Sequence, residues 1–385
     1  MSDIFIIKGR GGQRKLSGTV TITGAKNAAL KALAATVLFR DTVTLKNIPE
    51  IDDVRQITKL LSDMGAKIEH PKNGEYKVSI PKSFSTELSF SVANRLRASV
   101  VVTGPVLARF GKVSFPSPGG CLIGARPIDL FIEGFKKMGA KVALKDTSYI
   151  ISAPQGLRGA EFFLKNQSVT VTETFILAGV LAYGTTTIKN AAMEPEIADL
   201  VTFLNECGAK IFGAGTPTIT IKGGGLLSAK ENSYQTMPDR IDTGSFLILG
   251  ALAAKKIRII NCNPAHLESP IEMLRSAGVS IETKKNEIIV CAPQKINPLN
   301  VKTHEYPGFP TDLQAPMTVF LTQAEGESMV FETIFEGRLN YTEVLSSMGA
   351  LFVTMDPHRI LVQGKTKLRG KKLMSPDLRA GLAFL

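Results

Sequence analysis

The segment SPGGCLIGARPIDL at 117–130 places a thiol and a guanidinium close together in the sequence. Cys121 follows a Pro-Gly-Gly turn, and Arg126 lies five residues further on. A cysteine beside a cationic group gains thiolate character and can act as a nucleophile or an acid. A lone cysteine can equally pack as a small apolar side chain. The flanking glycines and the arginine favour an exposed loop, and both interpretations of Cys121 stay open.

Charged residues also stand at the N-terminal ends of several strongly apolar helical stretches. They are Lys26, Arg97, Arg240, Asp312 and the pair Asp377 and Arg379, whereas one further stretch begins at Val169 or Thr170. The N-terminal end of a helix attracts anions and disfavours cations. An aspartate there can be a simple cap, but a lysine or arginine needs another reason. If the helices run parallel, Lys26, Arg97 and Arg379 converge in one cleft around an anionic ligand.

The elements that must position these residues form a repeat. An amphipathic helix, a glycine and a short strand recur five times, with glycines at 65, 139, 208, 278 and 349. The separations are 74, 69, 70 and 71 residues. Glycine after a helix accepts the left-handed conformation, so each one predicts a helix end.

A second element recurs in step with the first. It is a helix that is apolar on nearly all sides, as in KNAALKALAATVL from residue 26, and a sixth copy opens at 377–385. Such helices are expected in a core, with the amphipathic helices outside them. Six starts predict two domains of three units each; a solenoid is the alternative. The sixth unit lacks its second half, so we expect roughly 35 further residues by the repeat period.

The composition narrows the class of ligand. Lysine and arginine exceed aspartate and glutamate by 12, which suits nucleic acid, an anionic membrane or an anionic small substrate. There is no run of five or six like charges and no aromatic-rich basic face, so an anionic small substrate is the preferred interpretation. The glycine-rich segments at 213–215 and 223–225 indicate turns rather than phosphate-binding loops.

The cysteines and the apolar runs indicate whether the protein has a structural metal site and where in the cell it is located. Cys121, Cys207, Cys262 and Cys291 form no C-x-x-C pair, so we expect no structural metal. The N-terminus has an apolar run of only four residues, and no apolar stretch approaches the roughly 20 residues that span a bilayer. Few, scattered cysteines are typical of a reducing compartment. We therefore expect a soluble, cytoplasmic protein.

Seven motifs then occur in order along the chain. They are TGAKNAAL (23–30), LRAS (96–99), GGCLIGARPIDL (119–130), NAAMEPEI (190–197), PDRIDTG (238–244), FPTDLQA (309–315) and SPDLRA (375–380). Together they resemble the UDP-N-acetylglucosamine 1-carboxyvinyltransferase family of the EPSP synthase superfamily, over essentially the whole chain. The resemblance implies an α/β fold, the inside-out α/β barrel, with two domains built from six βαβαββ repeats. Residues 25–237 would form one domain, and residues 1–24 with 238–385 the other.

The resemblance also implies a reaction. The 3′-hydroxyl of UDP-N-acetylglucosamine attacks C2 of phosphoenolpyruvate while C3 is protonated, and the tetrahedral intermediate then loses a proton and phosphate. This chemistry needs an acid, a base and cations, and we expect no cofactor. Two alternatives stay open: a shikimate-type enolpyruvyl transferase, which would lack the cysteine loop, and an inactive binding protein of the same fold.

Individual residues carry over from the matching motifs. The catalytic set implied by the resemblance is Cys121 as general acid, Asp312 on the sugar hydroxyl, Lys26 and Arg379. The substrate-binding set implied by it is Lys26, Asn27, Arg97, Arg126, Pro127, Ile128, Asp129, Leu130, Ser168, Val169, Asp312, Ile334, Asp377 and Arg379. Asp239 and Glu196 are expected to be interdomain or supporting residues.

The chain departs from the family pattern at two points. Asn166 stands where some members have lysine, so we expect a weaker phosphate contact there. The family's last arginine on phosphoenolpyruvate would lie beyond residue 385.

Overall fold

The computed structural model describes residues 4, 6–9, 11–88, 99–116, 128–230, 232–374 and 379–384. These residues form two compact units. The central unit consists of the described residues of Thr23–Gly120 and Arg126–Met237, and the C-terminal unit of those of Met1–Ile22 and Pro238–Leu385. Each unit has its own apolar core. The first described strand therefore belongs to the C-terminal unit, although it lies near the start of the chain.

The described strands of the central unit form three sheets, of which two are mixed and one is antiparallel; elements are numbered along the chain. Their strands are β2 (Val43–Lys46), β3 (Lys67–Lys72), β4 (Glu75–Ser79) and β12 (Ser233–Gln235); β5 (Lys112–Pro116), β6 (Lys141–Lys145) and β7 (Ser148–Ser152); and β8 (Glu161–Phe163), β9 (Thr185–Lys189), β10 (Lys210–Phe212) and β11 (Thr218–Lys222). The orders are β12-β2-β4-β3, β5-β7-β6 and β8-β9-β11-β10. In the two four-stranded sheets one parallel pair is followed by antiparallel neighbours.

Alternating sequence gives these strands one buried face. In β11 threonine alternates with isoleucine, and in β9 the buried positions are Thr186 and Ile188. Successive side chains of a strand point to opposite faces. Ile188, Ile219 and Ile221 are fully buried as a result. The sheet thereby presents an apolar surface on which the helices pack.

The helices of the central unit fall into two sets. The buried set is α1 (Lys26–Ala35), α3 (Val100–Phe110) and α5 (Val169–Val180), and the outer set is α2 (Asp52–Asp63), α4 (Asp129–Lys137) and α6 (Pro195–Glu206). Every residue of 171–180 in α5 is buried, whereas α2 buries only a stripe that includes Val54, Ile57 and Leu61. This confirms the two kinds of helix expected for the central unit.

The C-terminal unit repeats the arrangement with two sheets. Their strands are β1 (Leu16–Thr21), β13 (Ala254–Ile260), β14 (Ser280–Lys284) and β15 (Glu287–Cys291); and β16 (Asn300–Lys302), β17 (Glu327–Phe331), β18 (Leu351–Asp356) and β19 (Arg359–Gln363). The orders are β1-β13-β15-β14 and β16-β17-β19-β18, again with one parallel pair in each. The helices are α7 (Arg240–Ala253), α8 (Glu268–Ser276), α9 (Gln314–Leu321), α10 (Thr342–Ser347) and α11 (Ala380–Ala383).

Burial of α7 differs from the expectation. Its buried residues recur every three or four positions, whereas Phe246 and Leu249 are 36% and 40% exposed. The prediction of burial on nearly all sides is therefore wrong for α7, because only one face of this apolar helix meets the core. In the part of the chain that the structure describes, no helix combines the length and apolarity needed to cross a membrane.

Glycine determines where the outer helices end. The five glycines predicted as helix stops all have φ between +85° (Gly139) and +108° (Gly349). Side chains other than hydrogen rarely accept this conformation. The glycine of the sequence repeat is thus confirmed as a helix terminator in both units.

Close packing of α3 on α5 gives the first prediction. A Cβ at Gly104 would lie 2.5 Å from the backbone oxygen of Thr174, which a flexible side chain cannot relieve. Gly104→Ala should lower the free energy of unfolding by about 1–2 kcal/mol, because overpacking outweighs the roughly 1 kcal/mol gain in helix propensity. The measurement is chemical denaturation, with Gly224→Ala, where a Cβ meets nothing within 4 Å, as the control. Equal or higher stability of Gly104→Ala would contradict the packing described here.

Candidate active site

The predicted site residues fall into three groups. Arg97, Cys121, Arg126, Pro127 and Asp377 lie outside the described residues. Another group belongs to the central unit and consists of Lys26, Asn27, Ile128, Asp129, Leu130, Ser168 and Val169. The last group, Asp312, Ile334 and Arg379, belongs to the C-terminal unit.

In the C-terminal unit, Asp312 lies between two arginines. It occupies a 3₁₀ turn, Thr311–Leu313, that precedes α9. Arg338 Nη2 donates to Oδ1 at 2.8 Å, and Arg379 Nε donates to Oδ2 at 3.0 Å. Hydrogen bonds between guanidinium and carboxylate are strong and directional. Both oxygens of Asp312 are therefore held in place by cations.

The interpretation of Asp312 as a simple helix cap is not supported. The N-cap residue of α9 is Leu313, and no side-chain hydrogen bond caps that helix. Asp239 is the aspartate that caps, since its Oδ1 accepts from the backbone N–H groups of Ile241 and Asp242 at 2.8 and 3.1 Å. A role for Asp239 between domains stays a prediction.

Arg379 is surrounded by acidic groups. Burial alone lowers its pKa, but the carboxylates of Asp312, Asp239 and Asp242 outweigh burial and raise the pKa above its ordinary value. An arginine stays protonated in such a site. The cluster therefore keeps a permanent cation next to the carboxylate of Asp312.

Glu332 links Ile334 to the segment that carries Asp312. Its buried carboxylate accepts from the hydroxyl of Thr311 at 2.8 Å and from the backbone N–H of Ile334 at 2.8 Å. The structure thus brings together Asp312, Ile334 and Arg379, although 67 residues separate the first from the last. Sequence reasoning missed both Arg338 and Glu332, because a single charged residue in a turn or at a strand end has no periodic signal.

In the central unit, the predicted residues stand at the N-terminal ends of three helices. Lys26 and Asn27 open α1, Asp129 opens α4, and Ser168 is the N-cap of α5. Ser168 Oγ accepts from the backbone N–H of Val171 at 3.4 Å. Helix N-terminal ends suit the phosphate groups of a nucleotide. The charge of Lys26 is also shared with a neighbour, since its Nζ lies 3.1 Å from Asp53 on α2.

A buried ion pair connects α1 with α5. Lys31 Nζ lies 2.9 Å from a carboxylate oxygen of Glu173, and these side chains are 7% and 0% exposed. Burial raises the pKa of Glu173; Lys31 lowers it, and Glu196 and Glu194 raise it further, to about 7. Sequence reasoning missed this pair. The available signal was a charged residue inside each of two helices that are otherwise apolar.

Two of the described cysteines, Cys207 and Cys262, are buried. Burial raises the pKa of Cys207 and of Cys262 to about 11, so both thiols stay protonated at neutral pH. Cys207 packs in the core of the central unit, and Cys262 packs in the core of the C-terminal unit. Within the described ranges, no group of three or more histidine, cysteine, aspartate or glutamate side chains is placed to hold a metal ion.

Comparisons with known proteins point to one family. The family model described as EPSP synthase (3-phosphoshikimate 1-carboxyvinyltransferase) matches residues 11–385. Proteins named UDP-N-acetylglucosamine 1-carboxyvinyltransferase from Thermodesulfovibrio yellowstonii and Desulfosudis oleivorans are 40% and 42% identical over 96% and 97% of this chain, which covers 88% of each. The protein named UDP-N-acetylglucosamine 1-carboxyvinyltransferase 2 from Bacillus subtilis is 42% identical over 97% of this chain and 86% of its own length.

Two solved structures have a similar fold. The enolpyruvyl transferase NikO from Streptomyces tendae matches with a TM-score of 0.83 at 22% identity, over 97% of this chain and 88% of that one. An EPSP synthase from Acinetobacter baumannii matches with a TM-score of 0.69 at 20% identity, over 92% and 83% of the two chains. These matches confirm the α/β fold class.

The buried carboxylate of Glu173 predicts a pH dependence of stability. Its pKa is about 7 in the folded state, whereas the ordinary pKa of a glutamate carboxyl is 4.5, so between these values the folded state binds more protons than the unfolded state. The contribution of Glu173 to the free energy of unfolding is fully present below pH 4.5 and is lost as the pH rises to 7. The free energy of unfolding falls by at most about 1.4 kcal/mol per pH unit in this range. Asp199, whose pKa is raised to about 6, acts in the same direction at lower pH.

Urea unfolding at a series of pH values tests this. Glu173→Gln should flatten the fall in the free energy of unfolding between about pH 6 and 7, relative to the parent protein. The control is Glu161→Gln, which removes an exposed partner of Lys189. An unchanged slope in Glu173→Gln would show that this carboxyl does not titrate in that range.

Proposed function

The chain belongs to the EPSP synthase (3-phosphoshikimate 1-carboxyvinyltransferase) family, and we propose that it transfers the enolpyruvyl group of phosphoenolpyruvate to the 3′-hydroxyl of UDP-N-acetylglucosamine, releasing phosphate. The geometric observation that carries the reaction is Asp312, held at both oxygens by Arg338 and Arg379. The acceptor is inferred from the names of the relatives that are about 40% identical over nearly the whole chain. The product would be a precursor of peptidoglycan, made in the cytoplasm.

We also propose the detailed fold that the sequence resemblance implies, beyond the α/β class. We propose that the mixed sheets and paired helices belong to six βαβαββ repeats of an inside-out α/β barrel, in domains of residues 25–237 and 1–24 with 238–385. The shared strand pattern of the sheets supports this, since four of them pair one parallel strand with an antiparallel hairpin. The buried helices would then place their N-terminal ends at the substrates.

Each group of the site has a proposed task. Asp312 accepts a hydrogen bond from the 3′-hydroxyl and orients it toward C2 of phosphoenolpyruvate, and later receives its proton. Arg338 and Arg379 supply fixed cations beside the point where the carboxylate and phosphate of phosphoenolpyruvate must lie. Lys26 and Asn27 contact phosphoenolpyruvate and the sugar, and Cys121 delivers a proton to C3. Because Asp312, Arg338 and Arg379 hold one another in place before the substrates bind, these three groups need little reorganisation during the reaction.

The remaining proposed contacts bind the substrates. Arg97 and Arg126 bind phosphate. The nucleotide is bound by Pro127, Ile128, Asp129, Leu130, Ser168, Val169 and Ile334. Asp377 supports Arg379. The helix N-terminal ends at Asp129 and Val169 favour this assignment, since they present backbone N–H groups to anions.

Phosphate release tests the proposed reaction. The protein is incubated with phosphoenolpyruvate and UDP-N-acetylglucosamine, and we expect phosphate in equal amount to a product heavier by one enolpyruvyl group. Replacing the acceptor with 3-phosphoshikimate should abolish the release. Release with 3-phosphoshikimate alone would reassign the acceptor, and no release with either acceptor would overturn the proposal.

Replacing Asp312 separates its chemical role from its ion pairs. Asp312→Asn keeps the shape of the side chain but cannot hold a proton from the hydroxyl, so turnover should fall by about 10²-fold or more. Stability should fall as well, because two largely buried guanidiniums lose their shared anion. This differs from the effect of losing a cap, for which asparagine is a good substitute.

The assay is run below the unfolding temperature of the variant, checked by circular dichroism. Asp356→Asn serves as control, since it breaks the exposed pair with Arg359 at 2.7 Å in the same unit and should leave turnover unchanged. Near-normal turnover of folded Asp312→Asn would remove Asp312 from the reaction.

A further inference from the structure

Two charged side chains lie inside helices whose first turns carry proposed substrate contacts. Lys31 is one turn after Asn27 on α1, and Glu173 is one turn after Val169 on α5. The residues around each of them on its own helix are buried and mostly apolar. The two charges meet at 2.9 Å in the core of the central unit.

Stability does not explain the presence of this pair. Two charges removed from water lose more hydration energy than a single contact returns, and well-packed apolar residues in their place are often neutral or stabilising. Leaving one partner alone is far worse, because its charge stays buried and uncompensated. A buried ion pair that stability does not require is expected to hold some part of the molecule in place.

The pair is tied to the first turn of α1. Lys31 Nζ also donates to the backbone oxygen of Asn27 at 3.3 Å, so one ammonium connects that turn with Glu173. The α5 side is itself anchored, since Thr172 Oγ1 accepts from the backbone N–H of Ala192 at 3.1 Å. Glu194 and Glu196, close to Ala192 in sequence, act electrostatically on Glu173. The contacts therefore run from the turn before α6, through α5, to the start of α1.

We propose that Lys31 and Glu173 are positioning residues for the UDP-N-acetylglucosamine site. The pair fixes the first turn of α1, with Lys26 and Asn27, relative to the start of α5, with Ser168 and Val169. Neither side chain touches the substrate; each acts through the turn that it holds. The identity of the ligand rests on the proposed function, whereas the restraint on the two helices does not.

Kinetics separate a positioning role from a structural one. In the double variant Lys31→Met/Glu173→Leu no charge is left unpaired, so it should fold with a melting temperature near that of the parent protein. Its KM for UDP-N-acetylglucosamine should rise about tenfold, with kcat within about threefold, because binding geometry and not the chemical step is altered. Lys31→Arg, which keeps the cation, should retain most of the affinity. A KM equal to that of the parent protein in the folded double variant would overturn the proposal.

Hydrogen exchange provides a readout that needs no turnover. In the ligand-free double variant, the amides of residues 27–31 should exchange about tenfold faster than in the parent protein, since the restraint on that turn is gone. Peptides from α7, in the other unit, should be unchanged. The control Lys189→Met/Glu161→Gln removes an exposed pair of the central unit and should alter neither readout.

Failure of the proposed function and failure of the positioning role give different experimental results. If the parent protein releases no phosphate, the proposed function fails, and exchange at 27–31 still tests the restraint. If exchange at 27–31 is the same in the parent protein and the double variant, the positioning role fails whatever the activity.

Discussion

The architecture depends on helices that have almost no polar side. In α1 and α5 nearly every side chain is buried, and Lys26, Asn27 and the N-cap residue Ser168 stand at the N-terminal ends of these helices. Burial of an isolated charge is costly, so a charge farther along either helix needs a partner. The same constraint that builds the core of the central unit therefore gathers Lys26, Asn27 and Ser168 at N-terminal ends, where backbone N–H groups are available to an anion.

The exceptions to this constraint have paired charges. Lys31 and Glu173 lie inside the core and meet each other, and in the C-terminal unit Asp312 meets both Arg338 and Arg379. The two arrangements differ in access to water. Asp312 keeps about a quarter of its side chain exposed, whereas Glu173 is fully enclosed. This difference in exposure is the reason that we propose a catalytic role for Asp312 and a positioning role for Glu173.

Sequence periodicity predicts the elements and cannot predict these pairs. Apolar runs and stop glycines identify α1, α5 and the ends of the outer helices, because helix burial and the left-handed conformation depend on local sequence. Arg338 lies 26 residues from Asp312, and Glu173 lies far from Lys31, so their contacts depend on how distant segments pack. The one-sided burial of α7 escaped prediction for the same reason, since its neighbours and not its own residues determine which face meets the core.

The distribution of charge between core and surface completes the electrostatic argument. The charged residues buried in the described part of the chain are five acids and three cations: Glu173, Glu194, Glu196, Asp239 and Glu332, with Lys31, Arg240 and Arg338. Acids therefore outnumber cations among these buried residues, so they contribute nothing to the surplus of 12 positive charges in the whole sequence. That surplus must lie outside the described core, where water reduces its cost. A positive exterior raises the local concentration of anions and speeds their encounter with the protein. Phosphoenolpyruvate and UDP-N-acetylglucosamine are both anions, so the charge that the core excludes favours the substrates that we propose.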